Sequence, residues 1–110
     1  MRMRTGSIVL AIGAASLLSA STAAARTTVT IKDIQFSKAT VKVSPGAVVI
    51  WKDADSNVSH NVTSKGEDRF ASSDTLQSGD SHRVRFRQSG KYRYVCTIHP
   101  VNMRARIVVR

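Results

Sequence analysis

Three potential metal donors fall within eight residues near the C-terminal end of this chain. Cys96, His99 and Met103 offer a thiolate, an imidazole and a thioether in the run Cys-Thr-Ile-His-Pro-Val-Asn-Met. Cys96 is the single cysteine, and Met103 is the single methionine beyond position 3. Thiolate and thioether are soft ligands, and imidazole suits copper as well as zinc. One cysteine and two histidines in a trigonal arrangement, with a weak and distant methionine, form an electron-transfer copper site. That set needs a second imidazole, and two further histidines are present, His60 and His82.

The two candidates read differently. His82 opens an alternating segment beside Arg83, so it reads as a solvated strand histidine. His60 follows a polar, turn-rich stretch at 52–57 and starts a segment of strand character at 60–63. A donor at one strand end and a Cys-His-Met group at another would let a β-sandwich hold an ion rigidly. His60 is therefore the expected second imidazole, and His82 is expected to be dispensable for metal. The same donors would also serve a copper-delivery protein that never cycles electrons. A structural zinc site fits less well, because such sites favour four Cys and His ligands. A metal-free interaction domain leaves the lone thiol unexplained.

The surroundings of these residues bound the reading further. Arg2 and Arg4 precede an apolar run at 7–20, too short to span a bilayer as a helix. Ala23, Ala24 and Ala25 then supply the small residues of a leader cleavage site, placed before Arg26. The expectation is a signal peptide at 1–25 and one exported, periplasmic domain at 26–110. A domain of this size buries only about 60–65% of its extended-chain surface, and exported ones usually add disulfides. One cysteine cannot form an internal disulfide, whereas a bound metal both protects a thiol and stabilises a fold. Residues 26–110 carry fifteen Lys and Arg against seven acidic residues, a net charge of +8 with histidines neutral. For an exported domain this favours a partner with an acidic face, or an anionic membrane surface, over nucleic acid. No Ser-His-Asp set, phosphate-binding glycine loop or paired-carboxylate motif accompanies the donors, so a carrier is expected rather than an enzyme.

The elements that must position the donors are strands. Val29, Ile31, Ile34 and Phe36 alternate with one slip between 31 and 34, which a β-bulge would explain. Strands are expected at 40–43, 47–51, 60–63, 81–87, 91–96 and 104–109, with Ser44-Pro45-Gly46 and Ser89-Gly90 as turns. The long polar stretch at 64–80 is expected to be anchored by Phe70 and Leu76. No helix-period segment or repeat interrupts this pattern. Seven or eight short strands with regular turns predict an antiparallel sandwich.

Four stretches together resemble the small cupredoxins of the plastocyanin and amicyanin type. They are Val-Lys-Val-Ser-Pro-Gly at 41–46 with Val-Ile-Trp at 49–51, Ser-His-Asn-Val at 59–62, Ser-Gly-Lys-Tyr-Arg-Tyr-Val-Cys at 89–96, and Cys-Thr-Ile-His-Pro with Met103. The resemblance implies a cupredoxin-like antiparallel Greek-key β-sandwich of seven to eight strands holding one type 1 copper ion. It assigns the ligands to His60, Cys96, His99 and, axially, Met103, with Asn61 and Thr97 supporting them. It implies a monomeric carrier of single electrons between redox protein partners. Between His99 and Met103 stand three residues, where amicyanin-like loops have two and plastocyanin-like loops four. The acidic patch of plant plastocyanins has no counterpart in so basic a chain. Pro100 and Val101 are expected to form an apolar edge at which a redox partner docks weakly.

Overall fold

The computed structural model describes residues 24–110, so the leader expected at 1–25 lies almost wholly outside the described residues. Eight strands follow in order: β1 (Arg26–Lys32), β2 (Gln35–Phe36), β3 (Thr40–Val43), β4 (Ala47–Asp53), β5 (Thr63–Lys65), β6 (Ser81–Phe86), β7 (Gly90–Val95) and β8 (Arg104–Val109). Among the described residues there is no helix. The strands form two four-stranded sheets, β2-β1-β4-β6 and β3-β8-β7-β5. Period-2 alternation turns one side of each strand inward, and the two inner faces share one core.

The sandwich and its strand number match the expectation, but strand direction does not follow throughout. β1 pairs with β4, and β3 with β8, in parallel. The sheets are thus mixed. After β1 the chain crosses to the other sheet for β3 and returns as β4 beside β1, already travelling in the same direction. Alternation reports which face a residue occupies, not the direction of its neighbour, so periodicity could not reveal this.

The core is aromatic at its centre. Trp51 on β4 is fully buried, stacks on Phe70 at 5.5 Å between centroids, and meets Tyr94 edge-on at 5.3 Å. Such pairs add about 0.5–1.5 kcal/mol to the burial of their area. Phe70 and Leu76 do anchor the long 64–80 segment, Phe70 through this stack and Leu76 as a buried core residue. Burial pushes the Tyr94 phenol up to about 12, only partly offset by the nearby Trp51 indole; neither Tyr94 Oη nor Trp51 Nε1 has a well-formed hydrogen bond.

Two turns explain details of the pattern. In Ser44-Pro45-Gly46, Ala47 N donates to Ser44 O at 3.1 Å, and Gly46 adopts φ 94°, which a side chain would resist. The slip between Ile31 and Ile34 is not a bulge. Asp33 and Ile34 form the two-residue loop of a hairpin in which Lys32 pairs with Gln35. Both have positive φ, 54° and 56°, as the favoured tight hairpin turn requires. A β-branched residue in that conformation is strained. Asp55 relieves the loop: its carboxylate accepts the Asp33 N–H at 2.7 Å and the Ile34 N–H at 2.9 Å.

Candidate metal centre

His60 enters the site from an irregular segment rather than from a strand. The strand expected at 60–63 begins instead at Thr63, and His60 forms a single antiparallel bridge with Leu76. Its N–H donates to Leu76 O at 3.1 Å and its carbonyl accepts from Leu76 N at 2.7 Å. The 64–80 segment therefore fixes the backbone of His60 from outside, and the side chain is fully buried.

The imidazole of His60 is held at both nitrogens. Nε2 lies 2.8 Å from Asp55 Oδ2, and a carboxylate accepts, so Nε2 carries the proton. Nδ1 is then the free lone pair, and it faces Cys96 Sγ at 3.9 Å. Burial alone would raise the Asp55 pKa. Hydrogen bonds from the Ile34 N–H, His60 and the Asp33 N–H outweigh it and hold the carboxyl below its usual value, hence ionised. Asp55 is in turn fixed by its own N–H, which donates to Asp53 Oδ1 at 2.9 Å.

Cys96 follows the end of β7 and is completely buried, a free thiol within the core. The chain then makes a short loop tied at its base. His99 N donates to Cys96 O at 3.1 Å, Met103 N to His99 O at 3.0 Å, and Cys96 N to Met103 O at 3.0 Å. These bonds place Cys96, His99 and Met103 on one closed loop between β7 and β8. His99 Nδ1 lies 3.7 Å from Cys96 Sγ, and its ring sits 5.0 Å from that of His60. Met103 is fully buried, whereas His99 is half-buried and thus the donor nearest solvent. Ile98 and Val101, large hydrophobics left 47% and 80% accessible, stand on either side of it.

A second set of bonds ties the two donor segments to each other. Asn61 N donates to Cys96 Sγ at 3.4 Å, a contact that stabilises a thiolate. The Asn61 amide donates to Thr97 Oγ1 at 2.8 Å and accepts from Thr97 N at 3.0 Å and Thr63 Oγ1 at 2.8 Å. The expected support from Asn61 and Thr97 thus takes the form of a clasp.

The structure brings His60, Cys96 and His99 together, their ligand atoms all within 4.8 Å of one another. His82 stands apart from this group. It is not solvent-facing as expected: it shares the inward face of β6 with Val84 and Phe86, lies beside Trp51 at 5.9 Å, and its Nε2–H donates to Ala71 O at 2.7 Å. Asp55 is the residue that sequence reasoning missed. Its signal was a carboxylate five positions before a donor histidine, which acquires meaning only when the loop folds back on itself.

The donor set fits copper: one soft thiolate and two imidazoles, pre-aimed by outer hydrogen bonds, with a buried thioether on the same loop. A sequence model of copper binding proteins of the plastocyanin/azurin family matches residues 23–110. The chain belongs to that family. It is a small cupredoxin, and copper is the cofactor of its fold. Amicyanin-alpha of Methylorubrum extorquens is 32% identical over 89 residues, covering 78% of this chain and 73% of that protein. The purple cupredoxin of Nitrosopumilus maritimus superposes with a TM-score of 0.69 at 24% identity, over 76% of this chain and 99% of that one. The copper-containing nitrite reductase of Thermus scotoductus superposes with a TM-score of 0.68 at 24% identity, over 76% of this chain but 22% of that one. These structural likenesses concern the fold.

Proposed function

We propose that this cupredoxin is an exported, periplasmic carrier of single electrons, with one type 1 copper ion bound by His60, Cys96 and His99 and an axial Met103. The observation that carries the reading is the convergence of a buried cysteine sulfur and two imidazole nitrogens within 4.8 Å. Copper at such a centre supplies a one-electron couple. The chain supplies the rest. Asp55 and the Leu76 bridge fix His60, and the Asn61 clasp fixes Cys96 against it. A donor set locked in this way reorganises little between oxidation states, which favours fast transfer. Half-buried His99, flanked by exposed Ile98 and Val101, is the edge where a redox partner reaches the centre.

Complete burial of Cys96 and His60 supports a retained metal over one handed to another protein. It also argues against catalysis at the metal, because it leaves His99 as the approach. Copper loading, a visible spectrum and voltammetry test the proposal together. An intense thiolate-to-copper band and a reversible couple are expected. Copper bound without either would favour the delivery role.

A further inference from the structure

The outward face of the β3-β8-β7-β5 sheet is the feature that the metal centre does not account for. Alternation places Lys42, Lys65, Lys91, Arg93, Arg104 and Arg106 on that face, all exposed. The other outward positions of these four strands are Thr40, Thr63, Val95 and Val108, and none is acidic. Cross-strand register puts Lys65, Arg93 and Arg106 in one row and Lys42 and Lys91 on either side of Val108. Like charges so placed are unfavourable for the sheet itself. The arginines splay to limit this: Arg106 Nε donates to Thr40 Oγ1, and Arg93 lies over Gly66. Among the described residues none of the six forms an ion pair. Asp68, which accepts the Lys91 N–H, sits at the corner farthest along β7 from Cys96.

The face runs directly into the metal edge. Arg104 Nε donates to Pro100 O at 3.0 Å, and a groove lined by Lys65, Arg93, Val95, Arg104 and Pro100 crosses from the sheet to the ligand loop. β7, whose outward residues occupy the middle of this face, continues into Cys96. The opposite sheet is also basic, with Arg26, Arg83 and Arg85 around Val48. That cluster lies where β1 begins, whereas β4 ends at Asp53, beside the Asp55 support of His60. It is therefore remote from the ligand loop.

We infer that the outward face of β3-β8-β7-β5 is the docking surface for an acidic partner protein, which it seats with the partner's redox centre at the Pro100 and His99 rim. The inference rests on the electron-carrier reading. Continuity with the metal edge favours a protein over a lipid surface, because an anionic bilayer has no centre to exchange electrons with. Opposite charge accelerates encounter and orients it, while the small apolar rim limits how tightly the complex holds.

Poly-L-glutamate serves as the probe of an acidic surface, added at low salt to the copper(I) protein labelled for amide NMR. Shifts confined to β3, β5, β7, β8 and the ligand loop are expected, and shifts centred on β1-β4-β6, or spread evenly, would overturn the assignment. Two triple variants remove the same charge: Lys65→Gln with Arg93→Gln and Arg104→Gln, against Arg26→Gln with Arg83→Gln and Arg85→Gln. The first should weaken poly-glutamate binding by about tenfold and the second several times less. Equal losses would mean that only overall charge matters. Vesicles of phosphatidylglycerol and phosphatidylcholine form the third arm. Tight vesicle binding lost only in the first triple, with poly-glutamate indifferent to it, would assign the face to membrane instead. The visible band and couple, measured on the same samples, report separately on the carrier reading. A normal couple without face-specific binding sinks the docking inference alone.

Discussion

His60 Nε2 and Asp55 Oδ2 stand 2.8 Å apart, and that contact links the metal centre to a strained turn. The same carboxylate holds the N–H groups of Asp33 and Ile34, both at positive φ. One buried side chain thus fixes the tautomer of a metal donor and stabilises a hairpin loop of the other sheet edge. Asp55→Asn keeps the shape but loses the charge that makes these bonds strong. We expect it to destabilise the protein by about 2 kcal/mol and to shift the reduction potential. Denaturant unfolding and voltammetry of the variant check both, and an unchanged potential would reduce Asp55 to a turn residue.

Stability should fall at both ends of the pH scale, for two different residues. The folded state lowers the Asp55 pKa, so its contribution is complete above the usual carboxylate value of 3.8 and is lost as pH falls through the lower folded value. Tyr94 behaves in the opposite sense. Its phenol is raised from 10.0 to about 12, so its neutral form favours the fold below pH 10 and that advantage disappears as pH rises from about 10 to 12. Unfolding midpoints across pH should drop in both limbs. Tyr94→Phe should flatten the alkaline limb, and the absorbance of tyrosinate should show one residue resisting ionisation until near pH 12. An unaltered alkaline limb in that variant would refute the assignment.

His82→Ala should leave copper stoichiometry and spectrum alone, because His82 stands outside the donor group. It should still cost about 1–2 kcal/mol, since the ring packs beside Trp51 and donates to Ala71 O. Metal analysis and thermal unfolding separate the two effects. Loss of copper would place a third imidazole in the site.

Cys96→Ser should abolish the thiolate-to-copper band while preserving the β-sheet circular dichroism of the fold, because the core around it is closed by other residues. A band surviving the substitution would remove the thiolate from the centre.

Met103→Leu distinguishes an axial thioether from a core filler. Leu should keep copper bound and coloured, raise the reduction potential, and cost less than about 1.5 kcal/mol. The closed hydrogen-bonded loop that buries Met103 beside Cys96 motivates the axial role. Identical potentials for the two proteins would make Met103 a packing residue.

Much of this protein is written locally in its chain. Donor chemistry is intrinsic to residue type, so Cys96, His99 and Met103 announced a soft metal site by their spacing alone. Alternation is likewise local, and it located the strands and the inward faces of residues such as Trp51 and Tyr94 to within a few positions. What remained was decided by contacts between distant segments. Parallel pairing of β1 with β4 depends on the crossover between sheets, which no periodicity encodes. The slip at Ile34 read as a bulge because its turn is affordable only with Asp55, twenty-one residues away, capping it. The start of β5 moved because Leu76, and not a neighbouring strand, captures the backbone of His60. His82 turned inward because Trp51 and the Ala71 carbonyl lie there to receive it. Residue type and period determined what this protein could bind and how it would layer; long-range hydrogen bonds, invisible until the chain closes, determined which nitrogen faces the thiolate and what holds it there.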